Sequence, residues 1–296
     1  MFDKILGNDK IKFELINSIK LGKYSHSYLF LGISGIGKKM IAREFAKMIL
    51  CDGEEKYCNK CKSCLEFDSN NNPDFIEIVP DGNNVKIEQI REMQRKIVEQ
   101  PIISTKKVYI IDDADTMTRE AQNCLLKTLE EPPEFANIIL IGSNESSFLS
   151  TIKSRCTIIK FNPISDEQVK GYIKEKYELP EISESIILAS SGSIGKAEIL
   201  KDKQELFSSI DKVINNIEQM DLIDTLKNAD IIYKSQEDRQ DILEYINIIL
   251  FKKAKQNQKY LNCINIVEDT KKRLRANSNY NMTIDNMIMT IWEEIH

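Results

Sequence analysis

The sequence predicts an α/β protein in which a parallel β-sheet, covered by helices on both faces, is followed by an entirely helical second half. Three observations predict this fold class. Short apolar segments alternate with helical periodicity as far as Pro163, a glycine-rich turn leads from the first apolar segment into a helix, and no strand-like pattern follows Pro163. Short buried strands that alternate with helices are typical of parallel sheets.

Five short apolar segments have the length and composition of buried strands. They are residues 27–31, 75–79, 108–111, 138–141 and 157–161. Helical periodicity predicts helices around residues 41–49, 87–97 and 125–129, and a short helix over 148–153. Pro132-Pro133 ends the third of these helices, because proline cannot continue a helix.

The remainder of the chain has the periodicity of helices alone, with an apolar stripe that runs from Ile242 to Leu250. Predicted helices over 165–178, 182–190 and 194–208 form a small helical domain. We therefore predict three domains, which are residues 1–163, 164–208 and 209–296.

Composition limits the possible functions. The net charge is −5 over 296 residues, which argues against a stand-alone nucleic-acid binder with a basic face. No apolar run has the roughly 18 residues of a membrane span, and the first residues lack the apolar core of a signal peptide. We therefore expect a cytoplasmic protein with no membrane partner, whose seven cysteines are reduced.

Residues 32–39 (GISGIGKK) follow the phosphate-binding pattern G-x-x-x-x-G-K except at the last position. Gly32, Gly35 and Gly37 allow backbone N–H groups to face phosphate oxygens, and Lys38 adds a positive charge. The final residue of the pattern is Ser or Thr, whose hydroxyl binds Mg²⁺, whereas Lys39 cannot bind a cation. ATP or ADP binding and a relic turn kept for folding both remain open, and we expect no independent ATP hydrolysis.

Asp112 ends the third apolar segment, where a carboxylate can hold Mg²⁺ through water. It completes a degenerate nucleotide site with the three glycines and Lys38. Asp113 follows, at a position where active ATPases of this kind have the longer glutamate, and an error of about 1 Å can cost roughly a hundredfold in rate. We favour a structural role for Asp113, as a polar strand end that caps the next helix.

Cys51, Cys58, Cys61 and Cys64 have the spacing C-x6-C-x2-C-x2-C, at which thiolates converge tetrahedrally on Zn²⁺. The segment 51–64 is otherwise polar and too short for a core, so a metal would supply its folding energy. Four cysteines leave no open coordination position, which indicates a structural zinc. The other cysteines are interpreted as core or chance residues.

Arg155 lies between the short helix over 148–153 and the fifth strand. An arginine at a domain edge can stabilise transition-state charge on a neighbour's γ-phosphate, which is worth roughly 10³–10⁵ in rate. The alternative is a surface ion pair. Ser143-Asn144 follows the fourth strand, where it is suited either to sense a γ-phosphate or to cap the next helix.

Several segments together carry a family resemblance. They are residues 25–30 (SHSYLF), the four cysteines, Asn72-Pro73-Asp74, residues 125–133 (LLKTLEEPP) and Ser154-Arg155-Cys156. With these motifs the chain resembles the bacterial clamp-loader family within the AAA+ ATPases. The resemblance covers residues 1–163 and extends more weakly to about 205.

The resemblance implies a nucleotide-binding domain, a helical lid and a helical collar that holds a ring of five subunits. It implies partnership with motor subunits of the gamma/tau type and with a delta subunit, within the DNA polymerase III holoenzyme. Such a ring uses ATP to open the sliding clamp and place it on primed DNA. The Ser-Arg-Cys arginine, here Arg155, reaches the ATP site of the adjacent motor subunit.

The departures from the family pattern favour a non-motor subunit. Motor subunits have Thr or Ser at the position of Lys39, Glu at that of Asp113, and a lid arginine where this chain has Gly195 followed by Lys196. The alternatives are an active ATPase motor subunit of the same assembly and a zinc-dependent DNA-binding module on an inactive P-loop scaffold. The acidic charge argues against the second alternative.

Overall fold

The computed structural model describes residue 2 and residues 5–179, 181–228 and 230–296. The chain divides into two compact units, Met1–Gln168 and Val169–His296. The first unit is the α/β part and the second is helical. The predicted α/β class, with its parallel sheet and helical second half, is therefore confirmed.

The first unit contains one sheet of five strands in the order β2-β3-β4-β1-β5, and every adjacent pair is parallel. The strands are β1 (Ser27–Leu31), β2 (Phe75–Ile78), β3 (Lys107–Ile111), β4 (Ala136–Gly142) and β5 (Thr157–Lys160). The first strand lies between β4 and β5, with Leu29 beside Leu140 on one side and Ile158 on the other. All residues of β1, β3 and β4 are buried, which accounts for their apolar sequences.

Helices cover both faces of this sheet. They are α1 (Asp9–Lys20), α2 (Lys38–Leu50), α3 (Lys62–Asp68), α4 (Ile87–Ile97), α5 (Arg119–Glu130) and α6 (Ser150–Lys153). Neighbouring residues of β1 point to opposite faces, so Phe30 packs with Phe45 of α2 in one core, while Leu29 packs with Leu125 of α5 in the other. The sequence did not predict α1 or α3.

The second unit is helical throughout the part of the chain that the structure describes. Its helices are α7 (Asp166–Tyr177, which begins in the first unit), α8 (Glu184–Ser190), α9 (Ile194–Leu200), α10 (Gln204–Asn216), α11 (Leu222–Asn228), α12 (Asp230–Lys234), α13 (Arg239–Ala254), α14 (Tyr260–Arg275) and α15 (Tyr280–Ile295). The predicted apolar stripe lies on α13, where Tyr245 meets Phe207 edge to face with ring centres 5.1 Å apart.

Two predicted details of the helical half need comment. The helix predicted over 194–208 is two helices, α9 and α10, joined by a 3₁₀ turn at Lys201–Lys203. The domain boundary predicted at residue 208 falls inside α10, and the division into lid and collar stays a prediction. No helix in the described ranges is long and apolar enough to cross a lipid bilayer.

Candidate functional site

The turn between β1 and α2 has the shape of a phosphate-binding loop. Gly35 and Gly37 have φ angles of 77° and 90°, in the left-handed region that glycine enters without steric cost. Lys38 folds back across the loop, and its Nζ donates to the carbonyl oxygens of Gly32 at 2.6 Å and Ile33 at 2.8 Å. Only 7% of Lys38 is exposed, and burial lowers its pKa against the opposing effect of nearby carboxylates. Lys38 is thus buried against the loop and hydrogen-bonded to its carbonyl oxygens.

Lys39 forms ion pairs with two carboxylates from adjacent strands. Its Nζ lies 3.0 Å from Oδ2 of Asp112, at the end of β3, and also contacts Oε1 of Glu77 on β2. Burial opposes the charge of Lys39, but the hydrogen bonds to Glu77 and Asp112 outweigh it and raise the pKa. Asp112, the predicted Mg²⁺ ligand, is therefore paired with an ammonium group.

Asp113 corrects one prediction. It occupies the N-cap position of a 3₁₀ turn (Ala114–Thr116), yet its carboxylate makes no capping hydrogen bond. Its carbonyl oxygen instead accepts from the N–H and hydroxyl of Thr116, at 2.9 and 2.7 Å. Burial, followed by the charges of Asp112 and Asp115, raises the pKa of the Asp113 carboxyl. Asp113 has a left-handed backbone (φ 44°) in place of the extended backbone typical of a capping residue, which accounts for the missing cap.

The structure shows one of the two roles that the sequence left open for the polar residues after β4, which is capping; γ-phosphate sensing stays a prediction. Asn144 caps the 3₁₀ turn Glu145–Ser147, since its Oδ1 accepts from the N–H of Ser146 at 3.0 Å. Ser143 Oγ lies 3.4 Å from Lys38 Nζ, at the phosphate loop. Both backbone N–H groups, of Ser143 and Asn144, donate to Asp115 at 3.1 and 3.0 Å. The sequence analysis did not identify Asp115 as the residue that fixes this loop.

The four cysteines 51, 58, 61 and 64 converge as predicted. Their sulfur atoms all lie within 4.8 Å of one another, with Cys51 Sγ 3.6 Å from Cys58 Sγ and 4.0 Å from Cys61 Sγ. Zn–S bonds of about 2.3 Å in a tetrahedron place the sulfurs about 3.8 Å apart, so the set fits zinc. Backbone N–H groups of Lys60 and Cys61 lower the pKa of Cys58 to about 6, which favours the thiolate that binds metal.

The Asn72-Pro73-Asp74 motif fastens this cysteine module to the sheet. Asn72 Nδ2 donates to the carbonyl oxygen of Ser63 in α3 at 2.9 Å. The fully buried carboxylate of Asp74 accepts three backbone N–H groups, from Ile102, Ile103 and Ser104, each at 2.7 Å. The motif carries part of the family resemblance, and the structure shows that it anchors the module and the loop before β3.

Arg155 lies just after α6 and is held from two sides. Its Nη1 donates to the carbonyl oxygen of Thr151 at 3.0 Å, and its Nη2 lies 2.5 Å from Oε1 of Glu130. The side chain keeps 32% of its surface exposed. Glu130 belongs to the LLKTLEEPP segment, so the ion pair joins two of the family motifs. Both motifs are visible in the sequence, but nothing in the sequence indicates that Glu130 and Arg155 are in contact.

The structure brings Gly32, Lys38, Asp112 and Ser143 together at the carboxyl-terminal edge of the sheet, where parallel α/β proteins bind ligands. The described contacts of Arg155 lie elsewhere, with α5 and α6. In the second unit Lys196, next to Gly195, pairs with Glu244 and lies 3.3 Å from Asp241, both on α13. That lysine is therefore engaged with its own unit.

A family model described as "DNA polymerase III, delta subunit" matches residues 7–165, more than half of the chain. The chain belongs to this DNA polymerase III delta subunit family. The match includes the phosphate loop, the cysteine module, the Asn-Pro-Asp anchor and Arg155. The family resemblance stated from the motifs is thereby confirmed.

Relatives of this family member support the same placement. The DNA polymerase III subunit delta' of Bacillus subtilis is 35% identical over 201 residues, which is 68% of this chain and 61% of that protein. A DNA polymerase III subunit gamma of Buchnera aphidicola (Schizaphis graminum) is 39% identical over 175 residues, 58% of this chain and 48% of that protein. The matches thus span about half to three fifths of these relatives.

A solved structure shares the fold. The gamma subunit-related protein of DNA polymerase III from Thermotoga maritima superposes with a TM-score of 0.50 and 21% identity, over 95% of this chain and 99% of that one. At this identity the likeness shows the fold alone, and it agrees with the predicted parallel sheet followed by a helical second half.

Proposed function

We propose that this chain is the delta-prime subunit of a DNA polymerase III clamp loader, a non-motor subunit that completes the active site of its neighbour. The observation that carries the proposal is the pairing of Lys39 with Asp112 in the chain's own phosphate site. A site whose metal-holding carboxylate is bound by an ammonium group is poorly suited to Mg²⁺-dependent hydrolysis. The chain's own P-loop is thus the scaffold and not the motor.

Arg155 supplies the chemistry in this proposal. Its guanidinium is partly exposed and is held by Thr151 and Glu130, so it is presented in a fixed orientation at the end of α6. A guanidinium placed against the γ-phosphate of an adjacent subunit stabilises the charge that develops during phosphoryl transfer. This role requires no nucleotide in the chain's own site.

Membership of the family supports the assembly that we propose. The partners are a motor subunit of the gamma/tau type and a delta subunit in a five-membered ring, which acts on the sliding clamp and primed DNA in the cytoplasm. The helices of residues 164–208 serve as the lid and those of 209–296 as the collar that joins the ring. The four cysteines 51, 58, 61 and 64 hold a structural zinc, which keeps the module between α2 and β2 folded.

The second candidate is an active motor subunit of the same clamp loader. Relatives named gamma, tau or tau/gamma favour it, among them a tau/gamma subunit of Haemophilus influenzae that is 30% identical over 252 residues. Motor function requires Mg²⁺-dependent ATP hydrolysis in this chain's own site. The two candidates therefore differ in one measurable property.

The test compares the pure chain with the reconstituted complex. ATP hydrolysis is measured for the chain alone with Mg²⁺, and for the chain mixed with motor and delta subunits, clamp and primed DNA. The delta-prime proposal expects no hydrolysis above background by the chain alone, and hydrolysis by the complex that requires the chain. Turnover by the chain alone, abolished by Lys38→Ala, would instead establish a motor subunit.

A further inference from the structure

The phosphate site of this chain retains one half of a P-loop site and has replaced the other. The phosphate half comprises Gly35 and Gly37 in left-handed conformation and the buried Lys38. Within the described part of the chain, the backbone N–H groups of residues 35–39 donate no hydrogen bond to another backbone group outside α2, as is usual for the start of a helix. The metal half is occupied by the side chain of Lys39.

The ion pairs around Lys39 link four charged side chains, which are Lys39, Glu77, Asp112 and Arg43. Glu77 uses its two oxygens for two cations: Oε1 contacts Lys39 and Oε2 lies 2.6 Å from Arg43 Nη1. Lys39 also serves Asp112. Two carboxylates thus meet two cations, and the charges of these four ion-paired side chains balance. A divalent cation gains little from such a group, because its attraction depends on uncompensated negative charge.

Arg43 cannot take over the role of Lys39. Its Nη2 donates to Asn70 Oδ1 at 2.6 Å, and its guanidinium lies 5.1 Å from the ring centre of Phe75. These contacts keep Arg43 on the Glu77 side of the group. Asp112 and Glu77 are each only 17% exposed. The loss of Lys39 would leave Glu77 with Arg43 and Asp112 without an ion-pair partner in this group, at a poorly solvated position.

We propose that the Lys39 ammonium is the resident cation of this site and excludes Mg²⁺ from it. The residue that replaces the metal-binding hydroxyl of the P-loop also supplies a fixed positive charge to the carboxylates that would otherwise hold the metal. The site therefore does not bind a divalent ion, whether or not a nucleotide occupies its phosphate half. This inference rests on the proposed function, in which the chain's own phosphate site is inactive. Replacement of Lys39 by a residue with a hydroxyl should restore metal binding.

The experiment measures how added MgCl2 shifts the melting temperature in the presence of ADP. It uses the full-length wild-type chain, Lys39→Thr and Lys39→Met, in a buffer with trace zinc and no chelator, so that the cysteine module stays intact. Without Mg²⁺ both variants should melt about 2–4 °C lower than wild type. Added Mg²⁺ should raise the melting temperature of Lys39→Thr by a similar amount, because the hydroxyl and the freed carboxylates then bind the metal.

The wild type and Lys39→Met should not respond to Mg²⁺, since the first keeps its resident cation and the second gains no hydroxyl. Stabilisation of the wild type by Mg²⁺ to the same extent as Lys39→Thr would overturn the proposal. So would a Lys39→Thr variant that ignores Mg²⁺. A failure of Arg155 to act on a neighbouring subunit would leave these melting curves unchanged, so the two ideas fail separately.

Discussion

Oε1 of Glu130 lies 2.5 Å from Nη2 of Arg155, so the last residue of α5 forms an ion pair with the arginine that follows α6. Thr151 holds the other guanidinium nitrogen through its carbonyl oxygen. A guanidinium held at both terminal nitrogens is oriented before any partner arrives. Such preorganisation is what transition-state stabilisation across an interface requires.

Glu130→Gln tests whether this ion pair positions Arg155. An exposed ion pair is worth about 1 kcal/mol or less, so the complex should lose no more than about fivefold in ATPase rate. The free energy of unfolding should change by less than about 1 kcal/mol. The rate is measured with clamp and primed DNA. Glu131→Gln, which changes the adjacent exposed carboxylate, serves as the control and should leave the rate unchanged; equal losses for both variants would rule out a specific role for Glu130.

Zinc removal should unfold the cysteine module. The pure protein is expected to contain one zinc per chain by elemental analysis, and a strong chelator should lower its helical content as α3 melts. Cys64→Ser should lose the metal, since Cys64 is buried and its sulfur lies in the cluster. Cys124→Ser, remote from the cluster in sequence and outside it, should retain one zinc. A metal content that Cys64→Ser leaves intact would refute the site.

Asp74→Asn should be strongly destabilising. Asp74 has no exposed surface, and its carboxylate accepts three short hydrogen bonds from backbone N–H groups. The side-chain amide of the variant has only one acceptor oxygen, so it can accept only some of these bonds. We expect a loss of about 2–4 kcal/mol in the free energy of unfolding, measured by urea denaturation. Asp52→Asn is the matched control, because exposed Asp52 accepts one long bond from Thr105 N–H at 3.3 Å. Similar losses in the two variants would contradict the anchoring role.

Lys38→Met separates structure from catalysis. The buried ammonium satisfies two carbonyl oxygens of the loop, so its loss should cost about 1–3 kcal/mol of stability. The ATPase rate of the complex should stay unchanged, because the chain's own site is not a motor. Calorimetry and the ATPase assay together check this pair of outcomes. If Lys38→Met lowers the ATPase rate of the complex without lowering the stability of the chain, this chain hydrolyses nucleotide itself.

Much of the first unit follows from the sequence because its signals are local. The segment 27–31 is a buried strand from end to end, and the predicted second strand differs from β2 (Phe75–Ile78) by one residue. Helix α3 is not predicted because it has only seven residues, and its N-cap Cys61 and its one cysteine, Cys64, belong to the metal pattern. The break between α9 and α10 was also missed, since no proline or glycine marks the turn at Lys201–Lys203.

The ion pairs of the site could not be predicted, because their members are distant in sequence. Glu77 meets Lys39 only because β2 and the start of α2 come together across the sheet edge. The polar residue inside the apolar strand FIEIV was the one available hint. Glu130 and Arg155 are brought together by the packing of α5 against α6. Motifs therefore identified the residues, and only the fold identified their partners.

The most direct test of the account is ATP hydrolysis by the reconstituted clamp loader, stimulated by clamp and primed DNA, with the wild-type chain and with Arg155→Ala. Lys153→Ala controls for the loss of one nearby positive charge, and gel filtration checks that each complex assembles. An arginine finger is worth roughly 10³–10⁵ in rate at the site it serves. We predict that Arg155→Ala assembles normally and lowers the rate of the complex, while Lys153→Ala does not. An assembled Arg155→Ala complex with the wild-type rate would contradict the account.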